Sequence, residues 1–327
     1  MFVDEFELIK KYFHNEENKK ISNDKNIVLG IGDDAAVFEI DKEYQLVSSL
    51  DTLVENIHFP ENCKAEDIGF KALAVNLSDL AAMGASPHSF LLSITLPSIN
   101  DAWLENFSKG LFELANQHKL VLLGGDTSKG PLSISIQING LVKKNKFLKR
   151  SSAQAGDVIC ATGFLGLAAL GLKEWRLQKW QAGNNLQTSE ALARFLRPEP
   201  RIILAQKFYG LGVRACIDIS DGLLSEVKHL CKSSSLSAHL DFTSLLIHAE
   251  LTELEESEQL ALMLSGGDDY ELCFSVAKDK LEAVKAFCLQ ENIPLNVFGE
   301  FVVDDLCELR DKQGKLLDIS KSGYTHF

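Results

Sequence analysis

No stretch of this 327-residue chain has the unbroken apolar length of a membrane-spanning helix. The N-terminus, Met1-Phe2-Val3-Asp4-Glu5, is acidic and lacks the pattern of a secretory signal. The seven cysteines are odd in number and form no CxxC pair. That argues against a disulfide framework or a zinc site and for reduced thiols in a cytoplasmic protein. Basic charge is scarce: 33 Lys and Arg stand against 46 Asp and Glu, a formal net charge of −13. A general nucleic-acid surface is thereby excluded, whereas small anionic substrates remain compatible if metal ions screen the acidic side chains. The P-loop pattern GxxxxGKS/T, the HRD and DFG pair of protein kinases, G-x-S-x-G and H-E-x-x-H are all missing. What remains as candidate chemistry is carboxylates set beside glycine, serine and threonine.

The length suits two domains. Apolar runs and spacings predict a helix over 5–13, a polar loop over 14–26, and strands over 27–31, 36–40 and 45–50. A helix over 67–83 follows, with Phe70, Leu73, Ala74, Leu77, Leu80 and Ala81 in phase and Gly84 as its stop. Next come a strand over 90–96, a helix over 103–118, and strands over 120–123 and 132–142. The basic connector 143–150 marks a boundary, giving domains 1–149 and 150–327. The second domain reads as strands over 157–162, 215–219, 238–242, 270–276 and 295–298. Its helices fall over 201–211, 221–232, 251–264 and 279–291, beyond a Leu- and Ala-rich helix after Gly163. A less patterned insertion covers 184–193, and a terminal hairpin is expected around Asp311-Lys312-Gln313-Gly314. Strands and helices do not alternate strictly, which favours a mixed α/β (α+β) class over a doubly wound sheet.

The acidic motifs run the length of the chain. Gly30-Ile31-Gly32-Asp33-Asp34 resembles the start of a dinucleotide fingerprint. Two aspartates there would face a pyrophosphate, however, and a strand follows where a helix is needed. Such carboxylates suit a divalent cation, since Mg²⁺ takes hard oxygen ligands. Ser48-Ser49-Leu50-Asp51-Thr52 offers hydroxyl, carbonyl and carboxylate oxygens in one short span, with His58 downstream. Asp79 is the lone carboxylate in the late, apolar part of its helix. Gly124-Gly125-Asp126-Thr127 lets backbone approach a phosphate while Asp126 offers a ligand for its metal. In Asp218-Ile219-Ser220-Asp221-Gly222 both aspartates can point to one site across a strand-to-helix turn, where phosphate is favoured. Ser220 or Asp221 equally fits a plain helix cap. Ser265-Gly266-Gly267-Asp268-Asp269-Tyr270-Glu271-Leu272 repeats the Gly-Asp-Asp theme, and the chain ends in Gly323-Tyr324-Thr325-His326-Phe327. Taken singly, each motif also fits a solvated turn.

Taken in order, these motifs and the run Lys71-Ala72-Leu73-Ala74-Val75-Asn76-Leu77-Ser78-Asp79-Leu80-Ala81-Ala82-Met83-Gly84-Ala85 resemble the thiamine-monophosphate kinase family over nearly the whole chain. The resemblance implies a two-domain fold of the aminoimidazole-ribonucleotide synthetase superfamily. Its N-terminal domain pairs in a homodimer, and its C-terminal α/β domain completes a cleft for ATP and several Mg²⁺ ions. It implies transfer of the γ-phosphate of ATP to thiamine monophosphate, giving thiamine diphosphate and ADP, the last step of thiamine diphosphate biosynthesis. Residue by residue, it implies metal ligands at Asp34, Ser49, the Leu50 backbone, Asp51, Asp79, Asp126, Asp218 and Asp221. ATP contacts are implied at Gly125, Asp126, Arg150 and Ser220, and substrate contacts at His58, Asp268 and Tyr324. Two positions depart from the family pattern. Leu50 stands where threonine is common, so only its backbone carbonyl can serve. Asp268 stands where glutamate is common and reaches one methylene less far.

The acceptor oxygen on a phosphate is already anionic near neutral pH, so direct in-line transfer needs neither a strong general base nor a protein nucleophile. Three other functions compete. One is another ATP-using relative: the purine-pathway synthetase, selenophosphate synthesis or hydrogenase maturation. The others are a Mg²⁺-dependent phosphohydrolase and a non-catalytic nucleotide- or metal-binding protein.

Overall fold

The computed structural model describes residues 10–13, 20, 26–29, 31, 35–178, 189–303, 308–311, 313 and 315–317. The chain divides into two compact units, Met1–Leu80 with Ala85–Asn145, and Ala81–Gly84 with Lys146–Phe327.

In the first unit, β1 (Ile27–Leu29) and β2 (Val37–Phe38) form a small antiparallel pair. Then follow β3 (Tyr44–Val54), helix α1 (Ala65–Ala82), β4 (Ser86–Leu96), helix α2 (Asp101–Gln117), β5 (Val121–Lys129) and β6 (Ser133–Lys143). The sheet order is β3-β6-β4-β5, with β4 and β5 parallel and the other pairs antiparallel. A parallel neighbour requires a crossover, which α2 supplies. Asn100 caps α2, its side chain accepting the Trp103 N–H at 3.1 Å, and the in-phase Leu104, Phe107, Leu111 and Leu114 are buried. One face of the sheet is core: Phe90, Leu92, Ile94, Ile134, Ile136 and Ile138.

Helix α1 is buried almost all round, with Ala72, Leu73, Leu77 and Leu80 inaccessible to solvent. Its backbone approaches α2 through two glycines. A Cβ on Gly69 would lie 2.2 Å from the Phe107 carbonyl oxygen, and one on Gly110 would lie 1.8 Å from that of Glu66. Gly84, at φ +68°, ends α1: its N–H bonds to the Ala81 carbonyl and that of Ala85 to the Leu80 carbonyl, a Schellman pattern.

The second unit contains β7 (Val158–Thr162), α3 (Leu167–Gln178), α4 (Glu190–Leu196), α5 (Ile202–Leu211), β8 (Val213–Asp218), α6 (Leu223–Ser234) and β9 (Ser237–Leu240). It continues with α7 (Glu256–Ser265), β10 (Leu272–Val276), α8 (Leu281–Gln290), β11 (Leu295–Val302) and β12 (Leu309–Asp311). Its sheet runs β12-β9-β11-β7-β10-β8 and is antiparallel except for β12 on β9. Both faces are covered. Ile159, Ala161, Ile217 and Phe298 pack with Val227 and Leu230 of α6, while Phe274 meets Phe208 of α5 at 4.5 Å between ring centroids. Burial on both faces explains why β7 and β10 are mostly apolar without alternation, their buried Thr162 and Ser275 being hydrogen-bonded.

Several expected boundaries move. Strand β3 runs four residues past Leu50, held by pairing with β6 from Tyr44↔Lys143 to Val54↔Ser133. Strand β5 continues through Gly124-Gly125 because parallel pairing with β4 absorbs them, albeit with a register shift. The stretch 184–193, expected to lack pattern, holds the start of α4, capped by Ser189, whose Oγ accepts the Leu192 N–H at 3.0 Å; 184–188 lie outside the described residues. The helix expected over 251–264 begins only at Glu256, after a short 3₁₀ turn at Ala249–Leu251. The hairpin near 311–314 is present as an Arg310↔Leu316 bridge, and its first arm joins the sheet beside β9. Of the helix expected over 5–13, only 10–13 are described, and 10–12 are helical.

The glycine contact between α1 and α2 gives a contrast that chemical denaturation resolves. Gly110→Ala is expected to lower stability by roughly 1–3 kcal/mol, because its methyl enters the Glu66 carbonyl. Gly210→Ala in α5, where a Cβ meets nothing within 4 Å, is expected to raise stability by about 0.5–1 kcal/mol.

Candidate active site

Strand β3 and helix α1 build the acidic centre of the first unit. Alternation along β3 turns Ser49, Asp51 and Leu53 to the core face and Ser48, Leu50 and Thr52 to the exposed one. Asp79 meets this row from α1, and the Ser49 hydroxyl donates to its Oδ2. Asn76, one turn earlier, ties the two elements together. Its Oδ1 accepts the Asp51 N–H at 3.2 Å and its Nδ2 donates to the Ala72 carbonyl at 3.0 Å. Burial, then the Asp79 charge, then a hydrogen bond to the Asp79 carboxyl push Asp51 up to about 7. Two half-buried carboxylates and a hydroxyl are hard oxygen donors that suit Mg²⁺.

The other expected residues of this unit lie apart from that centre. The Leu50 side chain is 63% exposed on the opposite face. His58 sits in the turn after β3; its Nδ1 accepts the Val54 N–H at 3.0 Å, which puts the proton of the neutral ring on Nε2. Gly125 and Asp126 are on β5, opposite Leu92 and Ser93 of β4. Asp126 shares the exposed face with Ser93, and Ser128 Oγ donates to its Oδ2 at 2.9 Å. It is thus three strands across the sheet from Asp51, on the order of 14 Å at ordinary strand spacing, and on the other face. Asp34 lies outside the described residues, as does Tyr324. Among the described residues, no three His, Cys, Asp or Glu side chains converge as a ready-made metal cage.

In the second unit two loops bring Asp218, Ser220, Asp221 and Asp268 together. Asp218 ends β8, and Ser220-Asp221-Gly222 leads into α6. The Ser265–Leu272 motif leaves α7 and enters β10. The loops are laced by backbone: Asp268 N–H to the Ser220 carbonyl, Tyr270 N–H to that of Ile219, and Ile219 N–H to that of Glu271, each 2.8 Å. Their contact admits only glycine, since a Cβ on Gly222 would lie 2.9 Å from the Ser265 carbonyl carbon and one on Gly267 would lie 2.6 Å from the Ser220 oxygen. Gly222, one residue past Asp221 and two past Ser220, occupies the cap position of α6, and no side chain caps that helix.

Beside the expected Arg150, four neighbours have no role assigned from the sequence: Glu226, Asp269, Glu271 and Arg201. Glu226, buried in the first turn of α6, accepts the Asp221 N–H at 3.3 Å. Burial and the charges of Asp218 and Asp221 push it up to about 8, against the pull of Arg150. Arg150 begins the 3₁₀ turn Arg150–Ser152, and its carbonyl accepts from Ser234 Oγ at 3.0 Å. Asp269 takes the Gly166 and Ala168 N–H groups at the start of α3, at 2.8 and 3.3 Å; burial nonetheless pushes it up to about 8. Glu271 and Arg201 form a buried two-pronged ion pair, with Arg201 Nε 2.7 Å from Oε2, and Thr162 Oγ1 donates to the same carboxylate. Only Asp269 and Glu271 fall inside a motif legible in the chain; Glu226 sits five residues beyond Asp221 with nothing to mark it.

The charge repulsion at Asp51 has a signed consequence. A carboxylate whose folded value lies above its unfolded value of 3.8 contributes stability at low pH that is lost as pH rises toward about 7. In metal-free buffer Asp51→Asn, which mimics the protonated form, is expected to raise the melting temperature over wild type at about pH 8 and by clearly less at about pH 4.5, the difference closing below the unfolded value. Scanning calorimetry at the two pH values checks this.

Two domain families match the chain: "AIR synthase related protein, N-terminal domain" over 32–142 and "AIR synthase related protein, C-terminal domain" over 154–312. Thiamine-monophosphate kinase of Escherichia coli K12 is 40% identical, covering all of this chain and 99% of that protein. The crystal structure of thiamine-monophosphate kinase from Stenotrophomonas maltophilia K279a is 38% identical with a TM-score of 0.86, covering 92% of this chain and 96% of that one. The structure of AaThiL complexed with AMPPCP and TMP is 27% identical with a TM-score of 0.77, covering 100% and 99%. With both domains matched and a 40% identical relative aligned along its whole length, the chain belongs to the thiamine-monophosphate kinase family of AIR synthase related proteins.

Proposed function

We infer that this chain transfers the γ-phosphoryl group of ATP to thiamine monophosphate, yielding thiamine diphosphate and ADP. The observation that carries this is the full-length likeness to thiamine-monophosphate kinases, with AaThiL complexed with AMPPCP and TMP among the similar structures. The acidic centre supports it, because Ser49, Asp51 and Asp79 offer hard oxygen donors, and a divalent cation would relieve the cost of ionising Asp51 there. The proposed metal ligands are Asp34, Ser49, the Leu50 backbone, Asp51, Asp79, Asp126, Asp218 and Asp221. Gly125, Asp126, Arg150 and Ser220 are assigned to ATP, and His58, Asp268 and Tyr324 to thiamine monophosphate. When bound, Mg²⁺ ions would neutralise the two polyanions and the charge spreading over the transferred group. The protein's own part is positioning. The Ser220–Gly222 turn presents backbone and hydroxyl groups, Arg150 adds a positive charge, and no side chain has to remove a proton from an already anionic acceptor. Transfer is direct and in line, without a phosphoenzyme.

A homodimer formed through the first unit is part of this proposal. The exposed face of its sheet carries Leu46, Leu50 and Leu91 at 43%, 63% and 37% exposure among Ser48, Thr52, Ser93 and Gln137. Leu50, Gln137 and Leu91 lie in one cross-strand row. Such a face suits a second copy of itself. A cytoplasmic setting fits the six described cysteines, all buried and free. No helix among the described residues is long and apolar enough to cross a membrane.

Incubated with ATP, Mg²⁺ and thiamine monophosphate, the protein is expected to form thiamine diphosphate and ADP in equal amounts by chromatography. Asp79→Asn is expected to lower the rate roughly 100-fold or more. Free phosphate in place of thiamine diphosphate would instead indicate a hydrolase. By sedimentation, Leu91→Lys is expected to shift a dimer toward monomer, because the charge would be buried in the interface.

A further inference from the structure

The segment 268–271 is anchored more heavily than a connecting loop requires. Asp268 and Tyr270 both have left-handed backbone, at φ +69° and +49°. Glycine or asparagine serves that conformation without penalty, whereas an aromatic residue there is an outlier that the surroundings must hold in place. They do so from three sides. The Asp269 carboxylate is fastened to the Gly166 and Ala168 N–H groups. The N–H groups of Asp268 and Tyr270 are taken by the Ser220 and Ile219 carbonyls. Glu271 is locked to Arg201. What a tyrosine supplies here that a glycine would not is its hydroxyl, which donates to Asp268 Oδ1 at 3.0 Å.

We propose that Tyr270 is a positioning residue for substrate recognition, its hydroxyl fixing the orientation of the Asp268 carboxylate that receives the cationic, amine-bearing rings of thiamine monophosphate. The strained backbone is the means by which residues two apart in sequence are brought into this hydrogen bond. An Asp268 carboxylate already oriented loses less rotamer freedom when a cationic ligand binds, so the hydroxyl acts on affinity for that ligand and not on the phosphoryl step. The proposal rests on the kinase function above and on Asp268 as a substrate contact.

The test is steady-state kinetics of wild type, Tyr270→Phe, Asp268→Asn and the double variant, with thiamine diphosphate as the measured product and melting temperatures taken alongside. Tyr270→Phe is expected to raise KM for thiamine monophosphate about tenfold, the scale of one hydrogen bond to a charged group, while kcat and KM for ATP stay within about twofold. Asp268→Asn is expected to raise that KM at least as far, and the double variant no further than Asp268→Asn alone, since the hydroxyl acts through the carboxylate. Calorimetric titration of each variant with thiamine monophosphate, without ATP, should show the same pattern in Kd. An unchanged KM in Tyr270→Phe, equal loss for both substrates, or multiplying effects in the double variant would overturn the proposal while wild-type turnover left the kinase function standing. Failure of the wild type to form thiamine diphosphate would overturn both.

Discussion

Asp51 is held half-buried beside Asp79, so that burial first and the Asp79 charge second oppose its ionisation. Left to itself, a chain would swing one carboxylate into water. Helix α1 prevents this because it is buried nearly all round and cannot rotate without exposing Leu73, Leu77 or Leu80. Asn76 pins the helix to the backbone of Asp51, and the Ser49 hydroxyl takes one oxygen of Asp79. The glycine contact with α2 holds the same helix nearer its start. The hydrophobic core of the first unit thus sustains an electrostatic cost that a proton or a divalent cation would relieve.

The second unit meets a related difficulty through its backbone. The turn after β8 and the loop before β10 touch through Gly222 and Gly267, where side chains would collide. Three backbone hydrogen bonds join the loops, and Asp218, Ser220, Asp221 and Asp268 gather as a result. The buried Arg201–Glu271 pair, with Thr162 on the same carboxylate, anchors the point where this loop becomes strand. A buried ion pair of this kind adds less to stability than its short contacts suggest. Here it fixes the register at which Asp268 to Tyr270 leave the sheet.

Periodicity along the chain was enough to place most helices and strands, because α2 and α6 have one apolar stripe and β6 alternates cleanly. It failed where pairing overrides local signals. Gly124-Gly125 reads as a turn yet continues β5 against β4, and Asp51-Thr52 reads as a strand end yet pairs onward with β6. The short helix α4 escaped because seven residues carry too little pattern.

Carboxylates beside small residues, in a recurring order, were fixed by sequence alone: they named hard-cation and phosphate chemistry and, through the resemblance, the family. Which of them meet was decided by tertiary structure. Sheet order and side-chain alternation put Ser49 and Asp51 on one face with Asp79 and set Asp126 on the other face three strands away. Glu226 and Arg201 entered the neighbourhood of the second-unit motifs with no mark in the chain, and Tyr270 came to rest on Asp268 only because two loops hold both in left-handed backbone. The physical reason is the same throughout. A residue's chemistry is local to the chain, whereas its neighbours, its burial and hence its charge state are set by contacts between segments far apart in sequence.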